Sequence, residues 1–307
     1  MKYLVTGGAG FIGSHLVNKL INAGNHVVVV DNLSTGNFRD VNPEAEFLNI
    51  DLSDEKNLSL LPNDINIVYH LASQVSGEVS VEDPLFDLMG NSYSTLALLE
   101  WSKHCSIKKF IFTSSMGVYY DQLNQAAHES SILVPKSFYG INKQASEGYI
   151  RIASEEGLRT TIVRLFNVYG PGQNMSNYKQ GMLSIYMAYV YNKQPIIIKG
   201  PLDRIRDFVY VHDVINALML CRDEKADGKI FNVCSGRKTM VKKLIKLIQR
   251  AFDEGDDYPI KILERTPRDI DACWGDYSKI KRELGWEPKV NLEEGIAKMI
   301  NWLRNGV

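Results

Sequence analysis

Long apolar runs are missing from this chain. None approaches the roughly 18 residues that a membrane-crossing helix needs, so no membrane span is expected. A basic block is missing too: 35 Lys and Arg against 36 Asp and Glu leave a formal net charge of −1. Binding to nucleic acid or to an anionic membrane therefore has no electrostatic support. Cysteine is scarce. Cys105, Cys221, Cys234 and Cys273 lie far apart and form no C-x-x-C pair. That argues against a zinc site or a disulfide framework, predicts no metal, and fits a reducing cytoplasm. No repeat, low-complexity tract or linker stands out, and the opening "KYLVTG" leaves no room for a signal peptide. What remains is a chain of 307 residues, 45% hydrophobic, with core enough for one large unit or two modest ones.

Short apolar runs alternate with segments of helix length. Strands are expected at 3–7, 26–31, 46–51, 65–72, 108–115 and 159–170, and helices near 13–23, 85–105 and 139–156. The strand segments are continuous in Val, Ile and Leu rather than alternating, as in parallel sheets covered on both faces. Gly24 and Gly157 stand where helices should end. The expectation is an α/β fold: a Rossmann-like, doubly wound parallel sheet. After "YGPG" (169–172) the rhythm becomes more helical and irregular. A dinucleotide-binding domain is expected over 1–170 and a smaller mixed α/β substrate domain over 171–307. Strands near 208–213 and 230–235 could return to the first. Asn291 before "LEE" reads as a helix cap, and Leu244, Ile245 and Ile248 as the core face of an amphipathic helix.

"TGGAGFIGSH" joins the first strand to the first helix. Gly8, Gly10 and Gly13 satisfy G-x-G-x-x-G, and Gly7, Gly10 and Gly13 satisfy G-x-x-G-x-x-G. Glycines permit the tight turn and the close approach of backbone to a pyrophosphate, which the helix N-terminus then faces. A glycine motif alone is weak; this one has the strand before it and the helix after it. Asp31 ends the second strand, where a carboxylate accepts bonds from an adenosine ribose and repels a 2′-phosphate. That favours NAD over NADP.

Ser114 and Ser115 end the fifth strand, and "SFYGINK" places Tyr139 and Lys143 on one face of the next helix. For the phenol to act as a base near neutrality, its pKa must fall from about 10 to about 7, worth roughly 4 kcal/mol. A neighbouring cation lowers a pKa by about 1–3. Lys143 and an oxidised nicotinamide, both positive, would together suffice, with a serine hydroxyl holding the substrate oxygen. Tyr-x-x-x-Lys by itself is common on solvated helix faces; the glycine loop upstream gives it meaning. His70, at a strand end, reads as structural.

These motifs resemble the extended short-chain dehydrogenase/reductase superfamily, in its NAD-dependent epimerase/dehydratase branch. The likeness runs through "HLA" (70–72), "LFNVYGPGQ" (165–173), "RDFVYVHD" (206–213) and "ELGWEP" (283–288). It is nearest the nucleotide-sugar epimerases, UDP-glucose 4-epimerases above all. It implies Gly7, Gly10, Phe11, Ile12 and Gly13 on the dinucleotide, and Asp31 and Asn32 on the adenosine ribose. It implies Asp51 and Leu52 beside adenine, Leu71, Ala72 and Asn91 near the cofactor, Ser115 and Tyr139 at the sugar, and Lys143 on the nicotinamide ribose. Asn167 and Arg206 are implied on the diphosphate ligand. A second arginine is implied before "DIDACWGD": the run reads "RTPRD", with Thr266 where Arg is common, so Arg268 is favoured over Arg265. Cys273 matches a residue lining the sugar pocket, where a small side chain admits an N-acetyl group.

Related dehydratases and decarboxylases resemble one another in carrying an acid just beyond the serine. Here Met116 and Gly117 follow Ser115, and neither transfers protons. A 4-epimerase needs only one phenol. The reaction implied is thus NAD-dependent 4-epimerisation of a UDP-hexose through a transient 4-keto sugar. UDP-GlcNAc and UDP-GalNAc are further candidate substrates; the alternatives are a 2-epimerase, a reductase or other oxidoreductase, or a dehydratase or decarboxylase of the superfamily, and, from a different class, an NAD-sensing regulator without turnover. Helices 85–105 and 139–156 resemble the pair that forms a homodimer contact in the superfamily.

Overall fold

The computed structural model describes residues 1–305. Six parallel strands come first, with helices between them: β1 (Lys2–Thr6), α1 (Phe11–Ile21), β2 (His26–Asp31), β3 (Glu46–Asn49), β4 (Ile67–His70), α2 (Gly77–Glu82), α3 (Pro84–Leu88), α4 (Ser94–Lys103), β5 (Lys109–Ser115), α5 (Phe138–Glu155) and β6 (Thr160–Leu165). There follow β7 (Asn167–Tyr169), α6 (Met182–Tyr191), β8 (Ile196–Lys199), β9 (Ile205–Arg206), β10 (Phe208–Tyr210), α7 (Val211–Leu220) and β11 (Lys229–Val233). The last elements are β12 (Thr239–Met240), α8 (Val241–Ala251), β13 (Ile260–Leu263), α9 (Ser278–Leu284) and α10 (Leu292–Arg304).

The central sheet has the order β11-β6-β5-β4-β1-β2-β3, and every pairing in it is parallel. Both faces are covered, which is why the strands read as unbroken apolar runs. Tyr3 and Val5 pack with Leu16 and Val17 of α1 and Val214 and Leu218 of α7. Leu4, between them, faces the other way with Leu98 of α4 and Ile150 of α5. Strand order reverses between β1 and β4, and the crevice beyond the carboxyl ends there is where such sheets take ligands. A separate core joins α6, α8 and α10 through Met187, Leu244, Ile248, Met299 and Ile300. Short two-stranded sheets link this lobe together: β10 with β7, β12 with β9, and β13 with β8.

Two expected elements differ. The strand expected over 159–170 divides at Phe166, whose N–H donates to the Val233 carbonyl while Asn167 turns to pair with Phe208. The helix expected over 85–105 is interrupted by a wider turn over Met89–Tyr93. Hydroxyls drive that break: Ser94 Oγ (3.2 Å) and Thr95 Oγ1 (2.7 Å) both donate to the Asn91 carbonyl, competing with the helical ladder. Asn291 does cap α10, accepting from the Glu294 N–H at 2.9 Å. Gly24 and Gly157 follow α1 and α5 in the left-handed region.

Candidate active site

A cleft of about 610 Å³ opens at the β1/β4 reversal. Its floor is the loop from β1 into α1. Gly7 has φ +70°, and a Cβ there would stand 2.7 Å from the Ala72 nitrogen. At Gly13 a Cβ would fall 2.0 Å from the Gly7 carbonyl oxygen, so α1 can approach β1 only as glycine. Gly10 precedes α1 and brings no capping side chain, and the first turn carries no acid. The N–H groups of Phe11 and Ile12 find no acceptor among the described residues. A Cβ at Gly10 would meet only the Gly7 oxygen, at 3.2 Å, and otherwise stand in open cleft. This cradle of outward N–H donors at a helix N-terminus fits a dinucleotide pyrophosphate.

Asp31 lies at the far lip. It is buried, and its carboxylate accepts from Ala9 N–H at 3.0 Å and Leu33 N–H at 2.9 Å. Burial raises its pKa, and the two backbone donors oppose that. Asn32 donates to Asp51 at 3.0 Å, and Leu52 is buried beside them. Leu71 and Ala72 line the wall, their N–H groups donating to Thr6 Oγ1. His70 is wedged between Thr6 Oγ1 (2.8 Å) and Thr95 Oγ1 (3.0 Å). Burial, aided by the Lys143 charge, drives its pKa down to about 3, so it is neutral and structural. Asn91 stands behind the wall, tied to Ser73 and to the Gln74 carbonyl.

The opposite wall carries the proton-transfer candidates. Ser137 caps α5 by accepting from Gly140 N–H at 3.0 Å, which fixes the turn on which Tyr139 stands. Ser114 turns inward and donates to Glu147 at 2.6 Å. Ser115 faces the cleft beside Tyr139, its Oγ accepting from Gly117 N–H at 3.1 Å. Lys143 is buried; its Nζ donates to the Thr113 carbonyl at 3.0 Å and lies 5.8 Å from the centre of the Tyr139 ring.

The sequence expectation joined Lys143 to an oxidised nicotinamide in lowering the Tyr139 phenol; the chain's own groups hold that phenol above its ordinary value. Burial raises it to about 12, against a hydrogen bond with Ser115, and the Asp87 charge raises it further. Burial takes Lys143 down to about 7, opposed by the charges of Asp87 and Glu147. Lys143, 5.8 Å from the ring centre, is not among the groups that move the phenol.

Asn167 lines the cleft and donates to the Asp207 carbonyl at 2.8 Å. Arg206, Arg268 and Cys273 do not line it. Arg206 is buried, its Nη2 donating to Asp269 at 2.7 Å and to the Ile270 carbonyl at 2.9 Å. Arg268 is exposed, has φ +64°, and lays its guanidinium 4.7 Å over the Phe138 ring. Cys273 is fully buried in a small core with Val118, Phe166 and Cys234. Sequence reasoning missed two lining segments, Ser73–Ser76 and Asn177–Leu183. The first follows β4 at the sheet's reversal, a position that marks ligand contacts; the second has no motif. Among the described residues there is no cluster of His, Cys, Asp and Glu able to hold a metal and no helix long and apolar enough to cross a membrane.

The putative UDP-glucose 4-epimerase of Methanocaldococcus jannaschii is 37% identical, with 98% of each chain covered. The UDP-glucose 4-epimerase of Thermotoga maritima, solved with UDP-glucose, superposes with a TM-score of 0.93 at 39% identity over 99% of each chain. A UDP-glucuronic acid decarboxylase of Arabidopsis thaliana is 32% identical, over 97% of this chain and 88% of its own. The profile of the NAD-dependent epimerase/dehydratase family matches residues 3–234. A glycine cradle, a tyrosine and lysine across from it, and likeness from end to end agree: this chain belongs to the NAD-dependent epimerase/dehydratase family.

Proposed function

We propose that the protein is a UDP-hexose 4-epimerase, acting on the UDP-glucose/UDP-galactose pair. One observation carries the choice among the family's reactions. Position 117 abuts the reacting groups: a Cβ there would lie 3.4 Å from both Ser115 Oγ and Tyr139 Cδ1. The residue is glycine, so the spot that could hold a second acid holds none. Elimination and decarboxylation lose their extra proton donor, while a reaction served by one phenol does not. The names of the Methanocaldococcus jannaschii and Thermotoga maritima relatives point the same way.

The glycine cradle and Asp31 would hold NAD, which would supply reversible hydride acceptance at the sugar carbon. The chain's own residues handle the proton. Ser115 holds the 4-oxygen. Tyr139 takes its proton as the carbon is oxidised and returns it when the carbon is reduced on the other face. Lys143 keeps positive charge beneath the phenol. The 4-keto sugar turns within the cleft, with the second lobe, from residue 171 on, holding the nucleotide; Asn167 meets the diphosphate, and Arg206 and Arg268 would do so on leaving Asp269 and Phe138. Exposed Leu96, Ile141 and Ile152 on α4 and α5 suit pairing with a second copy.

The test is a panel of UDP-, GDP-, CDP- and TDP-sugars followed by product NMR. Interconversion of the two UDP-hexoses, with no label entering C4 from heavy water, is expected. Release of carbon dioxide from UDP-glucuronate, a 4-keto-6-deoxy product, or NAD binding without turnover would each replace this reading.

A further inference from the structure

One charged group in the site has no part in that proton transfer. Asp87, on α3, is fully buried. One of its oxygens accepts from Gln74 Nε2 at 2.5 Å and Asn91 Nδ2 at 3.0 Å; the other accepts from Asn142 Nδ2 at 2.7 Å. All three donors are neutral amides. Asn142 immediately precedes Lys143. A single carboxylate thus ties the loop before α2 and the turn after α3 to the second turn of α5.

Lys143 is buried as deeply, with one carbonyl as its partner. The titratable groups that face it are Asp87 from α3, Glu147 and Tyr139 from its own helix, and His70 from β4. His70 is neutral. Glu147 is already held by a buried guanidinium, Arg164 donating to its two oxygens at 2.9 and 2.7 Å. Among the described residues Asp87 forms no ion pair; burial raises its pKa, and the amide hydrogen bonds oppose that. Opposite charges in so dry a site interact strongly even without contact.

We propose that Asp87 is a positioning residue for the Tyr139–Lys143 pair: its buried carboxylate is the fixed charge that keeps the Lys143 ammonium ionised, while Asn142 carries its hold to α5. This rests on the catalytic reading of Tyr139 and Lys143 given above. A negative charge favours the protonated form of both neighbours, so its removal lowers the pKa of each. Asp87→Asn keeps the shape and removes the charge. Both limbs of the pH profile for kcat/KM then move toward acid, and turnover near pH 8 falls about tenfold or more.

The test does not depend on turnover. Lysine is labelled with 13C at Cε, the Lys143 resonance is assigned with Lys143→Met, and wild type and Asp87→Asn are titrated. A midpoint lower by about one pH unit or more is expected; an unchanged midpoint overturns the proposal. Should Asp87→Asn not fold, the 13C carboxyl resonance of Asp87 in the wild type decides: it must report an ionised group from pH 6 to 9, and a protonated one there overturns it. Fixed pH limbs with reduced amplitude would leave Asp87 a mere brace and overturn its electrostatic role. A protein that turns over no UDP-hexose would sink the proposed reaction, while the lysine titration would still judge this inference.

Discussion

At the glycine end of the cleft, N–H donors have no partners among the described residues; at the arginine end, set back from the cleft's lining, the guanidinium of Arg206 is closed on Asp269 and on backbone carbonyls. The first region is backbone, fixed by packing of α1 against β1 through Gly13. The second is side chain, and Asp269 grips both Arg204 and Arg206. A ligand entering the glycine end finds its donors waiting. A diphosphate reaching the arginine end must exchange partners with a carboxylate. The contrast suits a reaction in which the dinucleotide stays bound through every cycle while the sugar nucleotide comes and goes.

The sharpest way to separate chemistry from either binding region is Tyr139→Phe. It removes the phenol proposed to carry the proton, so kcat should fall by roughly 10²–10⁴. Dinucleotide content and UDP affinity should stay as in the wild type. Loss of bound NAD alongside activity would mean that the ring is a wall of the cradle rather than a proton carrier. Gly13→Ala attacks the glycine end alone. Its Cβ would be driven against the Gly7 carbonyl, and overpacking of this kind costs about 1–3 kcal/mol. The purified variant should unfold at lower urea and release NAD on gel filtration, yet bind UDP normally. Retained NAD would show that α1 can move outward without harm, and the claimed rigidity of that end would be lost.

The same contrast decides what was legible in the sequence. Gly7, Gly10, Gly13 and Asp31 could be read from spacing because backbone geometry dictates them: few other residues fit a turn packed that tightly. Tyr139 and Lys143 were legible from helical periodicity, and the Ser137 cap fixes their helix. Asp87 was not, since the second acid of "DPLFDLMGN" looks like any exposed helix residue until the fold buries it against Gln74, Asn91 and Asn142. The direction of the tyrosine shift also escaped the sequence, because desolvation depends on the packing around the ring. Segment Asn177–Leu183 reaches the cleft only through the fold of the second lobe. Arg206 and Cys273 were placed by resemblance, and no local rule fixes which way a side chain in an irregular loop faces.

Arg206→Lys probes the arginine end with a smaller effect. The charge stays, but the fork that suits a diphosphate is lost. The KM for the UDP-sugar should rise about tenfold, equivalent to roughly 1.4 kcal/mol, with kcat and NAD content nearly unchanged. If kcat falls instead and KM holds, Arg206 supports the fold of the 269–273 segment and does not meet the ligand.

Arg268→Gly is the gentlest probe and the most discriminating. Arg268 occupies the left-handed region at φ +64°, a conformation that costs a side-chain-bearing residue about 1–2 kcal/mol and glycine almost nothing. Against that relief stands the loss of its contact with the Phe138 ring, about 0.5–1 kcal/mol at an exposed site. The two nearly cancel, so the melting temperature should hold or rise slightly. Stability being level, any change in UDP-sugar affinity reports a ligand contact directly. A KM raised several-fold in a variant as stable as the wild type is expected if the guanidinium leaves Phe138 for the diphosphate. An unchanged KM would confine Arg268 to the surface and leave Arg206 as the cation at that end.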